Sequence, residues 1–143
     1  MTIKLNINSK IIKVKPKIGL YHVYDFEGRK MYGLAISLYC NEQPHAKGYL
    51  DPFTTITKSF GEYIFDNDVA YVDLNNCPFA SQFLDLGYAE ETLFDKQRGF
   101  CIYPLWKFKK GFLKRCMGQK EYRKYLKANR QYKKDPINFG GVM

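Results

Sequence analysis

The side chains best suited to chemistry lie near the end of this chain. Residues 120–134 carry Lys120, Arg123, Lys124, Lys127, Arg130, Lys133 and Lys134, with Tyr122, Tyr125 and Tyr132 between them, and Lys114 and Arg115 just before. Cations interleaved with aromatic rings are what a polyanion surface needs. Ammonium and guanidinium groups neutralise phosphates and release counterions, while rings stack on bases or donate hydrogen bonds. The spacing is helical. Tyr122, Tyr125, Leu126, Asn129 and Tyr132 recur at i, i+3, i+4, i+7 and i+10, so they share one stripe, and the cations fall on its flanks and back. Together these residues make a candidate site for nucleic acid or another polyanion.

Two other readings of the same residues stand beside it. In one, the tyrosines pack on the rest of the chain and the cations are only solvated. In the other, the basic helix lies on an acidic surface of this copy or a neighbouring one. Residues 59–95 contain Glu62, Asp66, Asp68, Asp73, Asp85, Glu90, Glu91 and Asp95 and no Lys or Arg, which offers such a surface for self-association.

The charge distribution separates this segment from everything before it. Residues 1–108 hold 12 Lys or Arg and 12 Asp or Glu and sum to zero. Residues 109–143 hold 11 Lys or Arg against Glu121 and Asp135, which accounts for the whole net charge of +9. The expectation is a neutral body over 1–108 and a basic helical extension of the same domain over 109–143.

Other chemistry finds less support. Cys77 precedes Pro78 at an expected helix start, where a helix dipole stabilises a thiolate, so Cys77 with a histidine is a candidate nucleophilic pair. No flanking signature accompanies it, and a small capping or core residue is the simpler reading. His22 and His45 are the only histidines, and Cys40, Cys77, Cys101 and Cys116 have no CxxC spacing, so no metal site is expected. Asp66 and Asp68 lack the Gly and terminal Glu of a calcium loop. GxSxG, P-loop, GxGxxG and HExxH motifs are absent, which favours a non-enzyme without cofactor. The N-terminus lacks a secretory pattern, and no apolar run spans a membrane. A cytoplasmic protein with free thiols and no membrane partner is the expectation.

The elements that must position these residues read as α+β. Ile3, Leu5 and Ile7 alternate with polar residues, and residues 8–10 form a turn. Ile12 and Val14 continue the alternation until Pro16, where the run is expected to stop. Residues 18–24 and 31–40 form a hairpin about Asp25-Phe26-Glu27-Gly28. A short strand over 47–50 is expected to end at Asp51-Pro52. Residues 69–74 read as a strand. Pro78 opens a helix of roughly three turns with Phe79, Phe83 and Leu86 on one face, and Gly87 closes it. Residues 99–108 form a strand, with Pro104 implying an edge or a bulge. A C-terminal helix covers roughly 110–134. The sum is a mostly antiparallel, twisted sheet with a short inserted helix and a basic C-terminal helix.

Three pieces in order, VDLNNCPFA, LGYAEET and GFCIYPLWKF, lie within residues 70–108. They resemble a domain-of-unknown-function family of small proteins carried by conjugative elements and phages of gut bacteria. Members often have Trp where this chain has Phe79. The resemblance covers roughly residues 18–108 and leaves the basic segment outside. It implies a mobile-element setting, not an activity. The expected function is therefore a non-enzymatic accessory protein that binds nucleic acid or a host nucleoprotein complex. A specific version is a stoichiometric inhibitor of a host defence nuclease, similar to anti-CRISPR proteins. The alternative is an interaction module for acidic protein surfaces or for itself, with no nucleic-acid role.

Overall fold

The computed structural model describes residues 1–40 and 51–134, so the expected strand at 47–50 and His45 lie outside the described residues. β1 (Ile3–Ile7) and β2 (Lys10–Tyr24) form an antiparallel hairpin through Asn8 and Ser9, both at positive φ. Ile3, Leu5 and Val14 turn into the core, as their alternation with polar residues implies.

Pro16 does not stop β2. The strand changes partner there: up to Val14 it pairs with β1, and from Lys15 onward with β3 (Lys30–Cys40). A strand residue's N–H and C=O point to the same edge, and the Pro16 carbonyl accepts from Met117 N–H at 3.0 Å on the edge that β1 has left. The missing N–H therefore costs no bond to β3.

The β2–β3 turn is as expected, with Gly28 at φ 83°. The Asp25 carboxylate fastens it, accepting from the N–H groups of Glu27 (2.9 Å) and Arg29 (2.8 Å) and from Arg29 Nε (2.9 Å). Burial pushes the Asp25 carboxyl up, but the bonds from Arg29 and Glu27 outweigh it and hold the group below the usual carboxylate value.

Asp51-Pro52 opens a strand where an end was expected. β4 (Asp51–Thr55) pairs with β3 across a register shift at Leu38 and Tyr39. Ile56 then joins two sheets. Its N–H donates to the Ile36 carbonyl at 3.0 Å, and its carbonyl accepts from Asp73 N–H at 2.8 Å. The second sheet contains β5 (Thr57–Lys58), β6 (Val69–Val72), β7 (Ala89–Arg98) and β8 (Cys101–Phe108) in the order β5-β6-β8-β7. β8 is thus an inner strand and not an edge. Pro104 is tolerated because β6 pairs only with residues 105–107, and Pro104 lies opposite Asp95 at a register shift in β7. β7 is an edge strand that the sequence reading missed. Leu93 in its bulge has φ 72°, and Leu93, Phe94 and Phe100 are exposed on this ribbon.

The inserted helix is shorter than expected. A 3-10 turn (Pro78–Ser81) passes into α1 (Gln82–Asp85). Phe83 is fully buried, but Leu86 is exposed, so the stripe does not extend to a third turn. The expected C-terminal helix is two helices, α2 (Lys110–Leu113) and α3 (Gln119–Lys134). Gly118 separates them at φ 81°, and a Cβ there would stand 2.1 Å from the Ile18 carbonyl oxygen. Only glycine fits such an approach. Met117 pairs beside β2 and accepts from Ile18 N–H at 2.8 Å. The core gathers Leu5, Ile18, Ile36, Phe83, Trp106 and Phe108 from both sheets and α1, and Tyr122 and Tyr125 of α3 belong to it. No helix among the described residues is long and apolar enough to cross a membrane.

Candidate nucleic-acid interface

α3 has two faces with different fates. Its tyrosine face is buried: Tyr122 is 3%, Tyr125 2% and Tyr132 8% exposed. These three rings were candidates for base stacking, and the structure withdraws them. They pack on the body because each ring brings large apolar area, worth about 1.5–3 kcal/mol when fully buried, and the polar ends of Tyr122 and Tyr125 find partners. Tyr122 OH donates to Asp68 Oδ1 at 2.9 Å, and Asp68 N–H donates to Tyr125 OH at 2.8 Å. Asn129, on the same stripe, accepts from Tyr63 OH at 2.9 Å and donates to Asn67 Oδ1 at 2.9 Å. The turn at residues 66–68 is therefore the seat of the helix. Burial, and then the neighbouring Asp68 carboxylate, push the Tyr122 phenol well above its ordinary value. Burial likewise raises Tyr125, and lifts Tyr63 to about 12.

The opposite face is cationic and exposed. Lys120, Arg123, Lys124, Lys127, Arg130 and Lys133 all point to solvent, as do Lys114 and Arg115 before the helix. Lys134 belongs to α3, but its side chain lies outside the described residues. None of the α3 cations forms an ion pair among the described residues. The helix has 16 residues, so this face runs for about 24 Å. Near its end, Arg130 and Lys133 border a groove of about 380 Å³ that Leu126 and Asn67 complete. At its start, the pairing of Met117 beside Lys17 brings the turn carrying Lys114 and Arg115 to the edge of β2, where Lys13, Lys15 and Lys17 are exposed.

Among the described residues, the α3 cations do not meet the acidic stretch. Four of its carboxylates, Glu62, Asp66, Asp68 and Glu90, are met by cations of residues 96–110. Glu62 pairs with Lys96 and, at 3.8 Å, with Arg98. Asp66 pairs with Lys107 at 3.4 Å and Glu90 with Lys109 at 2.7 Å. Asp68, buried, takes Lys110 at 3.0 Å. The basic helix does lie against acidic residues of the same copy, at the 66–68 turn, but tyrosine hydroxyls and not α3 cations make the contact.

Two exposed aromatics that the sequence reading passed over stand at the C-terminal end of α3. Phe26, at the β2–β3 turn, is 69% exposed, and Phe65, just before the seat of the helix, is 47% exposed. Their ring centroids are 6.1 Å apart. Phe65 lies 5.8 Å from Tyr132, and the Arg29 guanidinium covers the Tyr132 ring at 4.7 Å. The one available signal was an aromatic residue within a turn sequence, Asp25-Phe26-Glu27-Gly28.

Cys77 is buried, with the Thr54 hydroxyl at 3.4 Å and the Thr55 carbonyl at 3.7 Å. Burial pushes its thiol up, opposite to the shift a nucleophile needs. His22 is an exposed strand residue with its ring 5.8 Å from Tyr32. Among the described residues, no three His, Cys, Asp or Glu side chains are grouped to hold a metal ion.

The sequence model of a domain of unknown function (DUF4313) matches residues 23–131. No curated protein and no solved structure matches the chain. The match begins at the end of β2 and includes the 66–68 seat, the paired cations and all but the last turn of α3, so the docked basic helix lies inside the matched region. Because the match spans well over half of the sequence, the chain belongs to the DUF4313 family.

Proposed function

We propose that this is a non-enzymatic accessory protein of mobile DNA that binds nucleic acid, or a nucleoprotein complex, through the exposed face of α3. One observation carries the reading: the α3 cations are exposed beside one another and form no ion pair among the described residues. Lys120 and Lys124, and Arg123 and Lys127, are i,i+4 pairs of like charge. Such pairs cost a helix about 0.2–0.5 kcal/mol each. Lys120 and Arg123 also oppose the positive end of the helix dipole. A face meant only for solubility would alternate Glu with Lys, and α3 has Glu121 alone as an acidic residue. A row of phosphates relieves that repulsion and supplies the missing counter-charge.

The test is a salt titration of fluorescence anisotropy with labelled DNA and RNA. Wild-type protein should bind with affinity that falls steeply with salt, and Lys124→Glu with Lys127→Glu should weaken binding at least about tenfold at low salt. Circular dichroism of the variant confirms that the helix persists. Wild-type protein that binds no nucleic acid at low salt sinks the reading.

The narrower version, inhibition of a host defence nuclease, draws on the mobile-element setting that the resemblance implies. It requires inhibition to plateau near one equivalent and to survive Cys77→Ser. The alternative partner is an acidic protein surface or a second copy. Asp85, Glu91 and Asp95, which are exposed and form no ion pair among the described residues, favour a second copy. Sedimentation across a salt series separates that case from nucleic-acid binding.

A further inference from the structure

We infer that the ligand of the α3 face is a nucleic-acid duplex held by its two phosphate backbones, with Lys15 and Lys17 of β2 as a second row of the site. The inference rests on the reading of α3 as a phosphate-binding face and names the form of nucleic acid that fits it.

The first ground is what α3 uses internally. Proteins that hold a single strand combine cations with rings on which successive bases stack. The aromatic residues of α3 are Tyr122, Tyr125 and Tyr132, and all three are buried. Two of its three side-chain amides are committed as well. Gln119 Nε2 donates to the Leu113 carbonyl at 2.8 Å and to the Cys116 carbonyl at 2.7 Å. Asn129 is buried between Tyr63 and Asn67, which leaves Gln131 at the surface. The outer face is therefore almost wholly ammonium and guanidinium. Such groups suit phosphates, and in a duplex the phosphates stay outside while the bases are paired and stacked within.

The second ground is a further row of cations beside α3. Lys15 and Lys17 are exposed, and a spacing of two puts them on one face of β2. Neither forms an ion pair among the described residues. The Lys17 ammonium lies 5.7 Å from the centre of the Tyr39 ring, a contact that leaves its charge in place. The backbone fixes this row against the start of α3. Met117 N–H donates to the Pro16 carbonyl at 3.0 Å, and the Met117 carbonyl accepts from Ile18 N–H at 2.8 Å. Lys114 and Arg115, exposed just before Met117, carry the charge from β2 to α3. A groove of about 240 Å³ runs between the rows, lined by Lys17, Ser37 and Tyr39 on the sheet and by Glu121 on α3. A duplex presents two backbones on either side of a groove, with about twice the charge of one strand per unit length. Two cationic rows on separate elements match both backbones, whereas a single strand follows one row. Glu121, the one acidic residue of α3, lines the groove between the rows and repels the approaching duplex.

The experiment titrates a labelled DNA duplex and one of its strands alone. The proteins are wild type, Lys15→Gln with Lys17→Gln, Glu121→Gln, and Lys124→Glu with Lys127→Glu. Wild type should bind the duplex at least about tenfold more tightly than the strand at equal salt. Lys15→Gln with Lys17→Gln should weaken duplex binding about tenfold and lower its salt slope by about 2, while single-strand affinity changes less than about threefold. Both positions are exposed, and a thermal melt confirms that the variant is folded. Glu121→Gln should raise duplex affinity about twofold or more, a gain that damage to the fold does not mimic. Equal affinity for the two forms, or preference for the strand, overturns the duplex. Full duplex affinity in the Lys15 and Lys17 variant overturns the second row, and so does a Glu121→Gln variant without a gain. The α3 reading survives each of these results if the charge reversal at Lys124 and Lys127 still weakens binding. No binding to either form removes both.

Discussion

Two groups of cations lie close together in this chain and behave differently. Lys96, Arg98, Lys107, Lys109 and Lys110 each meet a carboxylate of the segment 62–90. The α3 cations meet none among the described residues. Both groups count equally toward formal charge, yet the fold has already neutralised the first. What remains for a partner is the α3 face. Net charge therefore measures partner chemistry only after the internal pairs have been removed. The same comparison applies to the two faces of α3. Aromatic rings that the chain uses for its own core are lost to a ligand.

The largest expected effect concerns the attachment of α3, on which the comparison depends. Gly118→Ala places a methyl group against the Ile18 carbonyl in a left-handed backbone conformation. It should cost about 3 kcal/mol or more, read as a lowered denaturant midpoint. A variant as stable as wild type would show that the 115–118 turn is not held on β2.

Alkaline pH should come next, because it attacks the buried face of α3. Tyr63 is raised to about 12 and Cys116 to about 12, chiefly by burial, and Tyr122 and Tyr125 are raised as well. Folded values above unfolded ones mean that the neutral forms are stabilised. Their contribution is complete below the ordinary thiol and phenol values, about 8.5 and 10, and is lost as pH rises toward the folded values. Chemical denaturation between pH 8 and 11 should show falling stability, with the tyrosinate absorbance of the folded protein delayed relative to the unfolded chain. A flat profile would mean these phenols are not sealed.

The comparison of cations predicts a smaller, selective effect on binding. Lys124→Gln with Lys127→Gln should lower low-salt affinity for nucleic acid by about tenfold and reduce the salt slope by about 2. Lys107→Gln with Lys109→Gln removes the same formal charge from paired sites. It should change affinity less than about threefold, since those lysines already lie against the Asp66 and Glu90 carboxylates and contribute little open charge. Equal losses from both variants would erase the distinction between paired and open cations.

Much of the fold was legible from residue order. The alternation in residues 3–7, the turn chemistry of residues 25–28 and the breaker-free run from Gln119 each have a local physical cause, and each element is present. β7 was illegible because an edge strand with a bulge does not alternate: Leu93 and Phe94 are exposed and the rest is mostly charged. The passage of β2 through Pro16 depended on Met117, far along the chain. At the site, the helix and its cations were legible, but the fate of the tyrosine stripe was not. The same spacing serves a docking face and a stacking face, and the 66–68 turn that decides between them is distant in sequence. Phe26 and Phe65 become neighbours only through the fold.

The finest contrast separates two tyrosines on the same stripe. The Tyr122 hydroxyl donates to the buried Asp68 carboxylate, whereas the Tyr132 hydroxyl is buried with no hydrogen-bond partner among the described residues. Tyr122→Phe removes a charge-assisted bond and leaves Asp68 one donor short, so it should cost about 1.5–3 kcal/mol. Tyr132→Phe removes a buried hydroxyl that has no hydrogen-bond partner among the described residues and keeps the ring under Arg29 and against Phe65. Its expected change is within about 0.5 kcal/mol and of stabilising sign. Binding should not distinguish the two variants, because neither hydroxyl reaches the outer face of α3. Paired urea melts and a single low-salt titration of each variant test both statements. If Tyr132→Phe destabilised the protein as much as Tyr122→Phe, the end of α3 would be held by a bond at that hydroxyl and not by ring packing.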